Sequence, residues 1–378
     1  MYIMIVARGY PTDKYKMNGN FEFDQAKALV RAGCKVVFAA IDVRSIRRWR
    51  KWGIEKKKID GVEIYAINIP LGNVPKIIFG NIAFLGLKMI YKKILNEIGK
   101  PDIVHAHFLG SAYLSAKLLN NSETPLVITE HSSLMNQNEI STRLLQKASY
   151  SYNKANQVIA VSHHLANNIG SKLNIKPIVI PNVVDLDSFE YVERNKPKDF
   201  FSFVSTGHLL PNKNMSLLIE SFTEAFKENN KVTLYIFGEG SERQKLENII
   251  QVNNMNDQIH LMGVKVRKEI AKKMSESNCF VLASKKETFG VAYIEAMAMG
   301  LPVIATKCGG PEDFVNNKNG LLINVDDKNE LMQAMKYMYQ NSSNYISIEI
   351  ANSVKMKFGE AMISNQLINI YQSIIKKD

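Results

Sequence analysis

Cysteine is scarce in this sequence. Only Cys34, Cys279 and Cys308 occur in 378 residues, widely spaced. That pattern excludes a disulfide framework and a zinc-ligand cluster, and it suits a reducing cytoplasm. Tryptophan is scarcer still, with Trp49 and Trp52 only. No run of about 18 apolar residues is present, so the sequence offers no membrane-spanning helix. The apolar start at residues 1–7 is too short for a signal peptide's core and reads as a buried first strand. Internal repeats and low-complexity tracts are also missing. What is left is an ordinary globular balance, 46% hydrophobic and 22% charged, in a chain long enough for two cores.

The charge is unevenly placed. Residues 1–182 hold 25 Lys+Arg against 12 Asp+Glu, so the net +12 of the whole chain belongs to the N-terminal half. Nucleic acid, an anionic membrane surface and an anionic substrate are each compatible with such a bias.

Short apolar runs alternate with helical patterns. Strands are expected at 2–7, 35–41, 62–68, 102–106, 125–129, 157–161 and 177–180, then at 201–206, 232–237, 258–262, 279–283 and 302–306. Helices fall between them, and residues 342–377 form a long helical end. This alternation predicts doubly wound parallel sheets. The polar, aperiodic stretch 191–199 reads as a linker between two α/β domains. Ligands of such sheets bind beyond the carboxyl ends of the strands, so residues that follow strands matter most.

Several such residues suit an anionic, polyhydroxylated ligand. After strand 279–283 come Glu287, Phe289 and Gly290, then a helix from Val291 that carries Glu295. The free backbone amides at that helix start suit a diphosphate, and carboxylates suit vicinal hydroxyls. Glu295 lies among Ala292, Ile294, Ala296, Met297 and Ala298, company in which a carboxylate needs a partner. Read alone, Glu287 is equally a loop residue and Glu295 a solvated helix charge. Lys213 stands at a helix entrance, a place the helix dipole disfavours for a cation unless an anion lies there too. Gly238-Glu239-Gly240 ends a strand, but Arg243 replaces the third glycine of a dinucleotide fingerprint. Gly309-Gly310-Pro311-Glu312 follows strand 302–306 as a source of amides or as a tight turn. In the first half, Gly19 lies on a loop after strand 2–7. His105 and His107 end a strand, and His131 follows one, where it could touch sugar hydroxyls or assist proton transfer. A lone histidine is as readily structural. Ser162 reads as the N-cap of a helix that begins with His163. Asp185-Leu186-Asp187 reads as linker entry, not as a metal site.

Taken in order, these residues resemble glycosyltransferase family 4, retaining nucleotide-sugar enzymes of the GT-B fold. The specific part is the E-x7-E pair Glu287 and Glu295. Residues 207–213 stand where the family has G-R-L-x-x-x-K, residues 180–185 where it has I-P-N-G-V-D, and Gly238-Glu239-Gly240 and residues 308–312 support the match. The resemblance covers nearly the whole chain. It implies an α/β GT-B architecture, two Rossmann-like doubly wound domains that face a central cleft. The acceptor domain would be 1–190, the donor domain 191–357, with a C-terminal helix at about 358–378 packed back on the first. By the same resemblance Glu287 contacts the donor sugar, Glu295 the ribose, and Lys213 with the amides of Phe289, Gly290 and Val291 the diphosphate. His131 would sit beside the sugar and Gly19 near the diphosphate. His131, Glu287 and Lys213 would carry the catalysis, with no metal or other cofactor, because Lys, Arg and a helix N-terminus stabilise the leaving diphosphate. Two positions depart from the pattern. His208 replaces the usual arginine in the donor site, which makes one diphosphate cation weaker or pH-dependent. Val183 replaces a glycine in a turn.

The basic half carries Arg47, Arg48, Trp49, Arg50, Lys51 and Trp52 within a segment of eight cations, residues 44–58. Tryptophan among cations suits a lipid headgroup boundary. The apolar run 77–87 reads as a buried helix or as part of a lipid or acceptor groove. The expectation is a peripheral enzyme at the cytoplasmic face of an anionic membrane, acting on a saccharide or lipid-linked acceptor from a nucleotide-sugar donor, UDP by preference. The competing readings are an epimerase or sugar-phosphate synthase of the same fold, and a basic nucleic-acid-binding protein. The last is disfavoured because the excess charge sits in one segment.

Overall fold

A computed structural model describes residues 1–12, 18–44, 52–71, 75–137, 139–193 and 200–376. The chain divides into two compact units, Met1–Val183 with Glu360–Asp378, and Val184–Gly359. The sequence reading set these borders at 190/191 and 357/358. Part of the expected linker, 194–199, lies outside the described residues.

The first unit holds eight strands: β1 (Tyr2–Ala7), β2 (Lys35–Arg44), β3 (Gly53–Ile59), β4 (Val62–Pro70), β5 (Ile103–His107), β6 (Leu126–Glu130), β7 (Gln157–Ala160) and β8 (Ile178–Val179). They lie in the order β3-β4-β2-β1-β5-β6-β7-β8. All neighbours run parallel except the antiparallel pair β3 and β4. Strands β1, β5 and β6 are buried on both faces, which is why they read as unbroken apolar runs without alternation. The connections are α1 (Asn20–Arg31), α2 (Lys76–Glu97), α3 (Phe108–Leu118), α4 (Thr142–Lys154) and α5 (His163–Leu173). Ser162 caps α5 as expected, its Oγ accepting from the Leu165 N–H at 3.2 Å. The chain runs one way from β1 to β2 and returns to the other side at β5, so the switch point lies between β1 and β5.

Two features of this unit differ from the sequence reading. Strand β3 was not anticipated. Its signal is the two-residue turn Asp60-Gly61, both with positive φ (49° and 80°), which closes a hairpin onto β4. Lys56, Lys57 and Lys58 are thus on an exposed edge strand, where lysines discourage pairing with a further strand. Helix α2 is apolar on both sides. Ala83, Leu87, Ile90 and Ile94 are buried at helical spacing, while Ile78, Phe79, Leu85 and Met89 are 43–58% exposed.

The second unit holds β9 (Phe201–Thr206), β10 (Val232–Phe237), β11 (Ile259–Gly263), β12 (Cys279–Leu282), β13 (Val303–Thr306) and β14 (Gly320–Ile323). The sheet is parallel throughout, in the order β11-β10-β9-β12-β13-β14, with its switch point between β9 and β12. Strand β14 adds one to the expected set. The helices are α6 (Met215–Phe226), α7 (Arg243–Val252), α8 (Arg267–Glu276), α9 (Val291–Ala298), α10 (Lys328–Asn341) and α11 (Ser347–Phe358). After Gly359 the last helix, α12 (Glu360–Ile375), belongs to the first unit. Its Ile363, Leu367, Tyr371 and Ile374 join the core of Ile5, Phe23 and Leu29, and Arg31 pairs with Glu360 at 2.6 Å. Among the described residues no helix is long and apolar enough to cross a membrane.

Candidate active site

In the second unit the loops that leave β9 and β12 meet at the switch point. Lys213 ends a short 3-10 turn, Pro211–Lys213, just before α6. Its Nζ lies 2.5 Å from Glu287 Oε1, which also accepts from Ser284 Oγ at 2.7 Å. Both charged side chains are mostly buried, at 22% and 11% exposed. The loops are tied beside this pair. The Lys285 N–H donates to Asn212 O at 2.8 Å, and Asn212 Nδ2 donates to Lys286 O at 3.0 Å. Asp326 holds both from the side, accepting from Asn214 Nδ2 at 2.8 Å and pairing with Lys285 at 3.0 Å. An ammonium has three donors, so the Glu287 contact leaves Lys213 able to bind an added anion.

A third loop fixes the backbone of Glu287. Its N–H donates to Cys308 O at 3.0 Å, and its own carbonyl accepts from the Gly310 N–H at 3.1 Å. Gly310 stacks directly on the Phe289 backbone: a Cβ there would lie 2.3 Å from Phe289 O and 2.4 Å from Phe289 Cα. Helix α9 then begins at Gly290, which is left-handed (φ 94°), and no side chain caps it. Amides at a helix start of this kind are backbone donors of the sort that suit an anion. The Phe289 ring is core, packed at 5.7 Å on the rings of Phe314 and Phe358, so only its backbone is available to a ligand. Glu295 is half-buried one turn into α9. Burial pushes the Cys308 thiol up to about 12, so it stays a neutral packing group.

Gly238-Glu239-Gly240 has a structural task. A Cβ on Gly238 would lie 1.9 Å from Gly207 O, and one on Gly240 2.2 Å from Leu209 O. The Leu209 N–H donates to Glu239 O at 3.0 Å. This motif braces the loop that carries His208 and Lys213. His208 itself is exposed. Asp185 pairs with Arg267 at 2.8 Å and accepts from Ser188 Oγ at 2.8 Å, a local structural role in the second unit.

In the first unit the carboxyl ends of β5 and β6 bring three buried imidazoles together. His105 stacks on His107 with centroids 4.5 Å apart, and His107 on His131 at 5.1 Å. His107 Nδ1 and His131 Nε2 are 2.9 Å apart. His105 Nδ1 is 2.6 Å from the Tyr371 hydroxyl, and its Nε2 is 2.7 Å from Thr129 Oγ1. Gln25 Nε2 reaches His105 Nδ1 at 3.3 Å and His107 Nε2 at 3.4 Å. Desolvation holds His105 and His131 down to about 3 and His107 well below the usual imidazole range, so all three are neutral near pH 7. The buried carboxylate of Glu130 accepts from the His131 and Ser132 N–H groups at 3.0 and 2.7 Å and from the Tyr152 hydroxyl at 2.5 Å.

The rim of this cluster is also marked. Phe108 has φ 66°, a strained conformation for a bulky residue, and its ring packs on His131 at 4.8 Å. The Arg8 guanidinium lies 3.7 Å over the same ring. Glu22, on the first turn of α1, is buried with Oε1 unpartnered, and desolvation pushes its carboxyl up. Gly19 (φ 72°) starts that helix without a side-chain cap, pressed against Gly9 O. Sequence reasoning missed Arg8, Glu22, Gln25, Phe108 and Tyr371, which lie far apart in sequence and carry no motif. Of the basic segment, Arg47, Arg48, Trp49, Arg50 and Lys51 lie outside the described residues. Trp52 is 61% exposed and lines a shallow cavity of about 200 Å³ with Ile67, Ile69 and Leu71. Lys56 pairs with Glu97 at 2.7 Å and Lys57 with Glu55 at 2.5 Å, so part of the positive charge is locally balanced.

Known proteins share this organisation. A family model described as Glycosyltransferase Family 4 matches residues 21–188, and one described as Glycosyl transferases group 1 matches residues 188–352. An uncharacterised glycosyltransferase of Methanocaldococcus jannaschii is 30% identical over 280 residues, 72% of this chain and 76% of that protein. The GtfA subunit of a UDP-N-acetylglucosamine–peptide N-acetylglucosaminyltransferase from Streptococcus agalactiae is 34% identical over 155 residues, which cover 40% of this chain and only 30% of that protein. Among solved structures, a sucrose-phosphate synthase from Thermosynechococcus elongatus superposes with a TM-score of 0.83 over 100% of this chain and 99% of its own, at 20% identity, a likeness of fold. The chain belongs to glycosyltransferase family 4 and has the GT-B fold, one α/β unit for each of its two matched regions.

Proposed function

We propose that the protein is a retaining, metal-independent hexosyltransferase. It would move a hexose or N-acetylhexosamine from a nucleotide diphosphate sugar, UDP by preference, to a saccharide or lipid-linked acceptor in cell-surface polysaccharide assembly. The observation that carries this reading is the Lys213–Glu287 pair beside the uncapped start of α9 at the switch point of the second sheet. In this reading the amides of Phe289, Gly290 and Val291 and the Lys213 ammonium hold the diphosphate, Glu295 the ribose and Glu287 the sugar hydroxyls. By the family's pattern His131 would serve the sugar and Gly19 the phosphates. The bond from the anomeric carbon to the diphosphate oxygen breaks as the acceptor oxygen bonds to the same face. The acceptor proton passes to the leaving phosphate, so no separate base is required. Lys213 and the helix start stabilise the charge that develops on that phosphate. The name of the Streptococcus agalactiae relative supports UDP-N-acetylglucosamine as the first donor to try.

The same proposal places the enzyme at the cytoplasmic face of an anionic membrane. The cations of residues 44–58, exposed Trp52 and the outer face of α2 support this. The test is a panel of sugar nucleotides with and without extracted lipid acceptors, in the presence of a chelator. Transfer with retained anomeric configuration is expected. Epimerised donor, an inverted product or loss of activity with chelator would reject the reading. Absence of binding to anionic vesicles at low salt would reject the membrane part alone.

A further inference from the structure

Helices α3 and α4 of the first unit carry charge of one sign only. Together they hold Lys117, Arg143, Lys147 and Lys154 and no Asp or Glu. Among the described residues none of these four cations forms an ion pair. Arg143, Lys147, Tyr150 and Lys154 recur at helical spacing, so they share one stripe of α4 about 16 Å long. Ala148, Ser151 and Tyr152 are buried on its other side. The stripe is unfavourable for the helix itself. Arg143 and Lys147 are like charges four residues apart. Arg143 also stands in the first turn, where the helix dipole disfavours a cation, and no acidic residue offsets it there. Burial, with Arg143 and Lys117 nearby, pushes the Lys147 ammonium down. Aromatic rings hold the ammonium groups in place. Lys147 Nζ lies 5.0 Å from the Tyr113 ring centroid, and Lys117 Nζ lies 5.8 Å from the same centroid and 4.8 Å from that of Phe84. Lys154 Nζ lies 5.5 Å over Tyr150 and donates to Asn120 Oδ1. The Tyr150 ring meets Tyr113 edge-on at 5.6 Å. Neither of these two phenol hydroxyls has a hydrogen bond among the described residues.

We propose that the α4 stripe, with Lys117 and the Tyr113 and Tyr150 hydroxyls, is a holding surface for an acidic saccharide chain, the far part of the acceptor. Carboxylates or phosphates of the chain meet the cations, and its hydroxyls meet the phenols. This rests on the transfer reading above and names its acceptor as an anionic saccharide. Helix α4 runs back from the carboxyl side of β6 to the start of β7. Arg143 therefore lies toward the strand ends where ligands of such sheets bind, and Lys154 leads away from them. Two other polyanions fit less well. A bilayer favours exposed aliphatic side chains beside its cations. The exposed residues of α4 are Thr142, Arg143, Gln146, Tyr150, Asn153 and Lys154, with none of that kind. Single-stranded nucleic acid favours bare ring faces on which bases stack, and here lysines lie over the rings.

The test is fluorescence anisotropy on the full chain at low salt. The probes are a labelled oligogalacturonate and a phosphorylated dextran oligosaccharide. The rivals are the methyl ester of the first, an oligodeoxythymidylate of equal charge and phosphatidylglycerol vesicles. One variant combines Arg143→Gln, Lys147→Gln and Lys154→Gln. The control combines Lys231→Gln, Lys268→Gln and Lys355→Gln, which removes the same charge from exposed positions of the second unit. At least one acidic saccharide should bind the wild type, and the ester should not. The α4 variant should weaken that binding by about tenfold, and the control by less than twofold. Its melting temperature should hold or rise, because repelling charges are removed. Failure of both acidic saccharides to bind, equal losses in the two triple variants, or a loss seen only with the oligonucleotide or the vesicles would overturn the proposal. Release of UDP from donor without acceptor should be the same in the wild type and the α4 variant. Its absence in both would count against the transfer reading, whereas intact release with unchanged saccharide binding would count against the stripe alone.

Discussion

Gly310→Ala perturbs the loops of the proposed donor site without touching a charged residue. The new Cβ would lie 2.3 Å from Phe289 O, 2.4 Å from its Cα and 2.5 Å from its carbonyl carbon, where ordinary contact begins at 3.4 Å. The two backbones must separate by about 1 Å. Phe289 cannot yield freely, because its ring is wedged against Phe314 and Phe358. Gly310 is the poorer-anchored side, but its N–H holds Glu287 O at 3.1 Å, so moving it shifts Glu287. Either way the amides at the start of α9 and the Glu287 carboxylate change their relative positions by a large fraction of an ångström. A misplacement of about 1 Å in a preorganised site costs about 10²-fold in rate. Overpacking costs about 1–3 kcal/mol of stability, or several degrees in melting temperature for a domain of this size. The assay is the initial rate of nucleotide diphosphate release, with kcat and KM separated, alongside a thermal melt. Gly110→Ala is the control, since a Cβ there meets nothing within 4 Å. The expectation is a drop of roughly 100-fold in kcat/KM for Gly310→Ala and no comparable change for Gly110→Ala. Equal activity in the two variants would refute the argument that this glycine sets the donor loops.

Two further outcomes follow from the first unit. His131 is held down to about 3 when folded, while an unfolded histidine takes a proton near 6.5. Its contribution is therefore fully present above pH 6.5 and is lost as pH falls toward 3, by about 2 kcal/mol between pH 7 and pH 5. Buried Glu22 and Glu130 are shifted up and act with the opposite sign, but they are common to both proteins compared. Denaturant melts should thus show a pH-dependent loss smaller by about that amount in His131→Asn, and identical pH profiles would contradict the buried neutral ring. On the outer face of α2, Leu85→Ser with Met89→Ser removes two side chains that are 58% and 57% exposed. Stability should stay within about 1 kcal/mol, while sedimentation with anionic vesicles should fall several-fold. Unchanged sedimentation would remove that face from the proposed membrane surface.

The fold was legible where burial wrote it into composition. Parallel strands covered on both faces, such as β1, β5 and β12, appear as short apolar runs, and their alternation with helices gave the doubly wound arrangement. Strand β3 escaped because Glu55, Lys56, Lys57 and Lys58 look like a solvated charge run. Its edge position makes that composition appropriate, and Asp60-Gly61 was the overlooked sign. The border at Val183 escaped because linker composition points to residues 191–199, whereas compactness follows packing. In the second unit Lys213, Glu287 and the start of α9 do converge, because the β9 and β12 loops are neighbours by topology. The histidine chain was only half visible. His105, His107 and His131 end or follow strands, but Gln25 and Tyr371 come from helices whose docking no local pattern announces. Gly238-Glu239-Gly240 resembled a nucleotide fingerprint because the same demand, close approach of two backbones, selects glycine in both settings.

The proposed donor site stands or falls on Lys213. Calorimetric titration of UDP into the wild-type protein and into Lys213→Ala, each without acceptor, addresses it directly. Loss of a fully preorganised cation at a leaving phosphate is worth roughly 3–4 kcal/mol at the transition state and less in the ground state. Lys213→Ala should therefore weaken UDP binding by about tenfold and reduce kcat/KM by about 10²- to 10³-fold, with Glu287 and the fold otherwise intact. Wild-type affinity and turnover in Lys213→Ala would contradict the assignment of this loop to the diphosphate.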